Sequence, residues 1–255
     1  MNRLARALTL PLLLLLVWQL GTSLLAESGR APQPLRVAAA GLALLRSGDL
    51  PWGIAQSLGR VFSGFLVAAA VAIPLGLAMG AWRAVERNLD PLVESFRPIA
   101  AIAILPLAIL WFGTGTPAAT FIVAYAAFFP LIVNTIAGVK RVDRRLVNAA
   151  RTMGVGRLTI LRMVIVPGAL PQIAVGLRLA LGVAWTAIIA AELAVGAKSG
   201  GGGSGGIGQM MFVFYAYSIE LNSIVVCMLA VGLVALLLDR GLRALLAHAM
   251  PWSRA

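Results

Sequence analysis

Six long apolar runs divide the sequence, at roughly residues 8–26, 60–82, 98–113, 117–138, 170–195 and 221–247. A helix needs roughly 20 mostly apolar residues to cross about 30 Å of bilayer hydrocarbon, and there its backbone must satisfy its own hydrogen bonds. Hydrophobic residues make up 60% of the chain and charged residues 12%, whereas soluble domains average about 45–50% and about 25%. The pattern predicts an all-α membrane protein with about six transmembrane helices.

The first run follows Arg3 and Arg6, so a cleavable signal peptide is an alternative to a retained span. Its apolar stretch is long for a signal peptide, and Leu24-Leu25-Ala26 lacks the small residue expected three positions before a cut. We therefore expect the first run to be a retained span.

The lysines and arginines predict the orientation of the spans. With the N-terminus inside, fifteen cations fall in cytoplasmic segments, including Arg97, and four fall in outer segments. Arg60 and Arg178 lie near or within spans and are left out of this count. Because lysine and arginine concentrate in loops that stay cytoplasmic, both termini are expected in the cytoplasm. In this topology residues 140–167 are a cytoplasmic segment and residues 196–220 an outer loop.

Several classes of function find no support in the sequence. The net charge of +12 does not indicate a nucleic-acid partner, because the cations cluster beside apolar runs. Cys227 and His248 are the only cysteine and histidine, so neither a metal cluster nor a nucleophile–base pair is expected. The glycine-rich run 200–206 does not fit the phosphate-binding pattern G-x-x-x-x-G-K-[ST] and is expected to be a flexible outer linker. No catalytic, cofactor or metal site is predicted in this chain.

The cytoplasmic segment has the pattern of two short amphipathic helices. Asp143 is placed to cap the first, whose apolar residues recur at helical spacing. Gly154 and Gly156 are expected to end it, since glycine readily adopts positive φ, and Pro167 is expected to end the second. The apolar face of the first helix is predicted to carry Val142, Leu146, Ala149 and Met153. By these features alone the segment is either a basic helix held by anionic lipid or a compact docking knob.

Three residues of the fifth run are candidates for a translocation path or gate. Glu192 lies late in the run, where an acid is costly and faces a cavity or a partner. It either lines the path or holds the closed gate, or it has a structural role at the outer interface or in an internal pair with Arg178 or Arg60. The structural role is favoured. Arg178 either attracts an anionic substrate or extends to the inner headgroups. Trp185 is expected to pack.

The segment Asn148-Ala149-Ala150, with Gly154, Val164 and Val166-Pro167, resembles the "EAA…G…I.LP" signature of importer-type ABC permeases. Asn148 departs from it, since the family has Glu there. Other stretches are similar to the nitrate/sulfonate/taurine branch of that family, and together they cover most of the chain from about residue 50. They are Leu105–Gly113, Phe129-Pro130, Asn134-Thr135 with Gly138, Leu177–Ala180 leading to Trp185, and Leu238-Asp239-Arg240.

This resemblance implies a type I ABC importer permease fold, with residues 1–255 as one permease domain in a bacterial inner membrane. The implied ATPase-docking residues are Asn148, Ala149, Ala150, Gly154 and Pro167, on coupling helices. Implied partners are a second copy of the chain, two ATPase subunits that bind ATP and magnesium, and a periplasmic or extracellular substrate-binding protein. The implied substrate is a small anion such as nitrate, taurine or another sulfonate, with bicarbonate or an aromatic carboxylate as alternatives. A secondary transporter or channel driven by an ion gradient remains the alternative function.

Overall fold

The computed structural model describes residues 32–198 and 205–250, together with Thr9, Leu13 and residues 16–22. Among these residues the regular structure is helical, in agreement with the predicted fold class. The helices are α1 (Pro34–Ser47), α2 (Asp49–Ala81), α3 (Arg83–Phe96), α4 (Ala101–Phe112), α5 (Thr116–Arg141), α6 (Arg144–Thr152), α7 (Arg157–Ile160), α8 (Val166–Lys198), α9 (Ile207–Val213) and α10 (Leu221–Ala249). Two π-helical turns, Leu161–Ile165 and Phe214–Ser218, follow α7 and α9.

Within the described residues, four helical stretches are long and apolar enough to cross a membrane. They are Asp49–Ala81, Thr116–Arg141, Arg157–Val195 and Leu221–His248, and they correspond to the predicted second, fourth, fifth and sixth spans. The predicted first span, 8–26, lies mostly outside the described residues.

The predicted third span, 98–113, differs most from the structure. Its helix α4 has 12 residues, or about 18 Å at 1.5 Å per residue, which is too short to cross a bilayer alone. It forms a pair with α3, and the two axes meet at 94°. The bent pair is either one broken span or a re-entrant loop, and the break between its arms lies at residues 97–100.

Two helix boundaries differ from the predicted bounds. The helix that contains the predicted second span extends further, beginning at Asp49. Pro167 does not end a helix, because Arg157–Val195 runs as one helical stretch. The π-helical turn before Pro167 explains this continuity, because Val166 N donates a hydrogen bond to Leu161 O, five residues back. The backbone hydrogen bonds have therefore already left the regular α-helical pattern at the point where proline lacks its N–H.

The predicted outer loop, 196–220, contains more structure than an open linker. It includes α9 and the π-helical turn after it. Ser57 Oγ accepts a hydrogen bond of 3.0 Å from Ile207 N at the first residue of α9, and Ser57 and Ile207 are both fully buried. The glycine run predicted to be a flexible linker lies outside the described residues except for Gly205 and Gly206.

The contacts divide the chain into two compact units. The first comprises residues 1–57 and 193–233, and the second comprises residues 58–192 and 234–255. In the second unit α2 packs closely on α5, because three glycines of α2 face it. A Cβ atom at Gly64, Gly76 or Gly80 would lie 2.6–2.7 Å from Val123, Thr135 or Val139. Small residues at such a contact let two membrane helices approach at backbone distance.

Candidate functional site

The segment 143–165, here called the knob, begins with the predicted cap. Asp143 Oδ1 accepts a 2.8 Å hydrogen bond from Arg145 N, which satisfies one of the free N–H groups in the first turn of α6. Helix α6 ends at a glycine, as predicted: Gly154 has φ +75°. Val155 N bonds Ala150 O and Gly154 N bonds Arg151 O, the pair of bonds that closes a Schellman motif. Gly156 does not help to end α6 as predicted, since its φ is −65° and it precedes α7.

Three of the four residues predicted for the apolar face of α6 lie on the outside of the knob, whereas Val142 packs against the core. Leu146 is 59% exposed and Met153 is 74% exposed, and Ala149 between them is also exposed. Ala150 is buried instead and anchors the helix. A rigid turn that presents apolar side chains beside arginines has the composition of a protein contact surface.

The predicted docking residues do not all share one place. Asn148, Ala149 and Ala150 lie on α6 and Gly154 lies in the turn that follows, whereas Pro167 lies in the first turn of α8. Asn148 is exposed and lines a groove of about 740 Å³ between the knob and the adjoining ends of α2, α3 and α5. The groove also contains the exposed arginines Arg144 and Arg151.

Glu192 makes one of the two internal contacts proposed from the sequence. Its Oε1 lies 2.7 Å from Nη1 of Arg60. The two side chains are 2% and 5% exposed, so the pair is removed from solvent. Glu192 thus balances a buried cation of α2, and this contact favours the structural role over the path role.

Arg178 has a partner that the sequence analysis did not identify. Its Nε and Nη2 atoms lie 3.2 and 3.0 Å from Oδ1 of Asp239 on α10, and Asp239 also pairs with Arg243. In the sequence, the only feature that pointed to Asp239 was the Leu238-Asp239-Arg240 stretch. Trp185 is 2% exposed, and it lines a cavity of about 210 Å³ with Arg178 and Asp239. It packs, as expected.

Arg97, counted above among the cytoplasmic cations, lies at the break between α3 and α4 and lines an open cavity of about 400 Å³. Tyr125 in the middle of α5 holds this break in place, since its hydroxyl donates a 2.7 Å hydrogen bond to Phe96 O. Asn134, about two and a half turns further along α5, also lines the cavity.

Comparison with known proteins identifies the family. Residues 72–249 match the family described as "Binding-protein-dependent transport system inner membrane component". An ABC transporter permease protein of Methanocaldococcus jannaschii is 42% identical over 78% of this chain and 72% of its own length. The taurine transport system permease protein of Escherichia coli is 36% identical over 96% of this chain and 88% of its own. The bicarbonate transport system permease protein of Synechococcus elongatus is 37% identical over 74% of this chain and 66% of its own.

The fold also has a counterpart among solved structures. A chain of the MetNI methionine ABC transporter, solved in inward-facing conformations, superposes with a TM-score of 0.66 at 20% sequence identity. The match covers 80% of this chain and 97% of that chain. This agreement bears out the expected type I ABC importer permease fold. The chain therefore belongs to the family of binding-protein-dependent transport system inner membrane components, and it is a permease subunit of an ABC importer.

Proposed function

We propose that this permease imports a small oxyanion and that the knob is the surface on which a separate ATPase subunit docks. The observation that carries the docking proposal is the exposure of Leu146 and Met153 on a turn closed by Gly154. Apolar side chains on a polar, arginine-rich helix gain free energy when a partner covers them. ATP and magnesium are bound on the ATPase subunit, since this sequence contains no phosphate-binding loop.

The substrate class is supported by the relatives named for taurine and for bicarbonate transport. Both substrates present a compact group of oxygens that carries negative charge. We propose the same chemistry here, with a separate binding protein that delivers the anion at the membrane face opposite the knob. Two copies of this chain form the path, each with an ATPase on its knob, and both termini lie on the ATPase side.

The docking proposal is tested by Leu146→Asp and Met153→Asp in the full complex. Each variant is expected to lower copurification of the ATPase subunit at least tenfold, because a carboxylate must be desolvated at the contact. Leu45→Asp on α1 is the matched control, since Leu45 is 55% exposed but lies in the first unit. Normal ATPase recovery with the knob variants would rule out this docking surface.

The substrate proposal is tested in lipid vesicles that contain the permease, its ATPase and its binding protein. ATP-dependent uptake of labelled taurine, bicarbonate and nitrate is measured separately, and uptake of at least one of these compounds is expected. The permease alone is expected to show neither ATP hydrolysis nor uptake. Uptake by the isolated chain in a proton or sodium gradient would instead support a secondary transporter.

A further inference from the structure

The cavity beside the break between α3 and α4 lies wholly within the second unit. Its wall on α5 extends from Tyr125 to Asn134. At 1.5 Å per residue, Tyr125 lies about 14 Å from the Thr116 end of α5 and Asn134 about 10 Å from the Arg141 end. The residues that α8 contributes, Leu179 and Val183, are also near the middle of that helix. The cavity is therefore at mid-height on two helices long enough to span a membrane.

Arg97 brings a positive charge to this height. It directly follows Phe96, whose carbonyl oxygen is bonded by the Tyr125 hydroxyl at 2.7 Å, so its backbone is held beside the middle of α5. The side chain is exposed to the cavity. A charged side chain at mid-membrane depth is costly and typically marks a water-filled cavity or the path of a substrate.

The other two arginines associated with the spans are each neutralised by a carboxylate. Arg60 pairs with Glu192 and Arg178 pairs with Asp239. Among the ion pairs of the described residues, none includes Arg97. Its charge is thus available to a mobile anion in the cavity, and the apolar walls formed by Phe129 and Leu179 strengthen the attraction by lowering the local dielectric constant.

We propose that Arg97 binds the oxyanion of the substrate midway along the translocation path. The planar guanidinium group donates two parallel hydrogen bonds to a sulfonate, carboxylate or nitrate-like group. The Tyr125 hydroxyl, which donates to Phe96 O, restrains the break that positions this arginine. The inference rests on the proposed function, since it takes the substrate to be a small anion.

A reporter cysteine measures the charge in the cavity without requiring transport. Val133 lines the cavity and is replaced by cysteine in a Cys227→Ala background, which removes the only natural cysteine. The full chain, assembled with its ATPase subunits in lipid nanodiscs, reacts separately with an anionic thiol reagent, 2-sulfonatoethyl methanethiosulfonate, and a cationic one, 2-(trimethylammonium)ethyl methanethiosulfonate. The ratio of the two reaction rates reports the local electrostatic potential.

The anionic reagent is expected to react faster in the reporter protein. Arg97→Gln should lower the ratio of anionic to cationic rate by roughly tenfold, because one unit of nearby charge is removed. Arg97→Lys should retain most of the ratio, since it keeps the charge. The matched control is Arg87→Gln on α3, the helix that precedes Arg97, which should leave the ratio unchanged. An unreactive reporter, or the same ratio with Arg97→Gln as with Arg97, would overturn the proposal.

Uptake provides a second measurement. In vesicles with the complete importer, Arg97→Gln is expected to lower anion uptake about tenfold at equal assembly, and Arg97→Lys should restore most of it. Full uptake by Arg97→Gln would show that the substrate bypasses this arginine and would overturn the proposal. If the natural chain imports none of the tested anions, the proposed substrate class fails, while the thiol ratio still decides whether Arg97 is the cation of the cavity.

Discussion

Arg60 and Glu192 join α2 to α8 through a buried ion pair whose Nη1 and Oε1 atoms are 2.7 Å apart. Both charges lie in the second unit and are almost completely removed from solvent. Desolvating two charges costs several kcal/mol, which their attraction offsets only while both are present. The pair therefore couples the positions of two long helices.

Glu192→Gln is expected to destabilise the protein by about 3 kcal/mol, because it leaves the Arg60 guanidinium buried without its countercharge. Thermal unfolding of the purified complex measures the effect. Glu94→Gln, an exposed acid on α3, is the control and should be nearly neutral. Loss of uptake by Glu192→Gln with unchanged thermal stability would contradict the structural role and support a role in the path.

Asp239→Asn should have a much smaller effect than Glu192→Gln. Asp239 and Arg178 are each 38% exposed, so water replaces much of the lost interaction and the cost should be below about 1 kcal/mol. The same thermal unfolding measurement ranks the two variants. An equal or larger loss of thermal stability for Asp239→Asn would show that burial does not determine how strongly these ion pairs stabilise the protein.

Gly154→Ser tests the turn of the knob. The residue has φ +75° and no atom lies within 4 Å of a Cβ built there, so the cost comes from the backbone and is about 1–2 kcal/mol. ATPase copurification and uptake should both fall while the chain still inserts into the membrane. Gly156→Ser in the same turn is the control, because that residue has φ −65°. Equal effects of the two variants would refute the argument from φ.

Gly76→Ala tests the close contact between α2 and α5. The added Cβ atom would lie 2.7 Å from Thr135 Cβ, so the helices must separate at a cost of about 1–3 kcal/mol. Gly59→Ala on the same helix meets no atom within 4 Å and should be neutral or stabilising. Unfolding temperatures of the two variants, measured in the same detergent, should therefore shift in opposite directions or by clearly different amounts.

The sequence by itself determined the features that depend on near neighbours. Long apolar runs specify helices because backbone hydrogen bonds must be satisfied within the segment in lipid. Asp143 and Gly154 specify the two ends of α6, since capping and positive φ involve only adjacent residues. The resemblance to the family was also visible in local sequence, in the spacing of residues from Ala149 to Pro167.

Only the tertiary structure decided which charges meet and how deep they lie. Arg60 and Glu192 are 132 positions apart, and the sequence left two possible partners for Glu192 because spacing along the chain does not show which helices pack together. The sequence placed Arg97 only by its nearest loop. The bend between α3 and α4 and the hydrogen bond from Tyr125 to Phe96 hold its backbone beside the middle of α5. Those distances depend on how helices pack, and helix packing is set by side chains that are remote from one another in the chain.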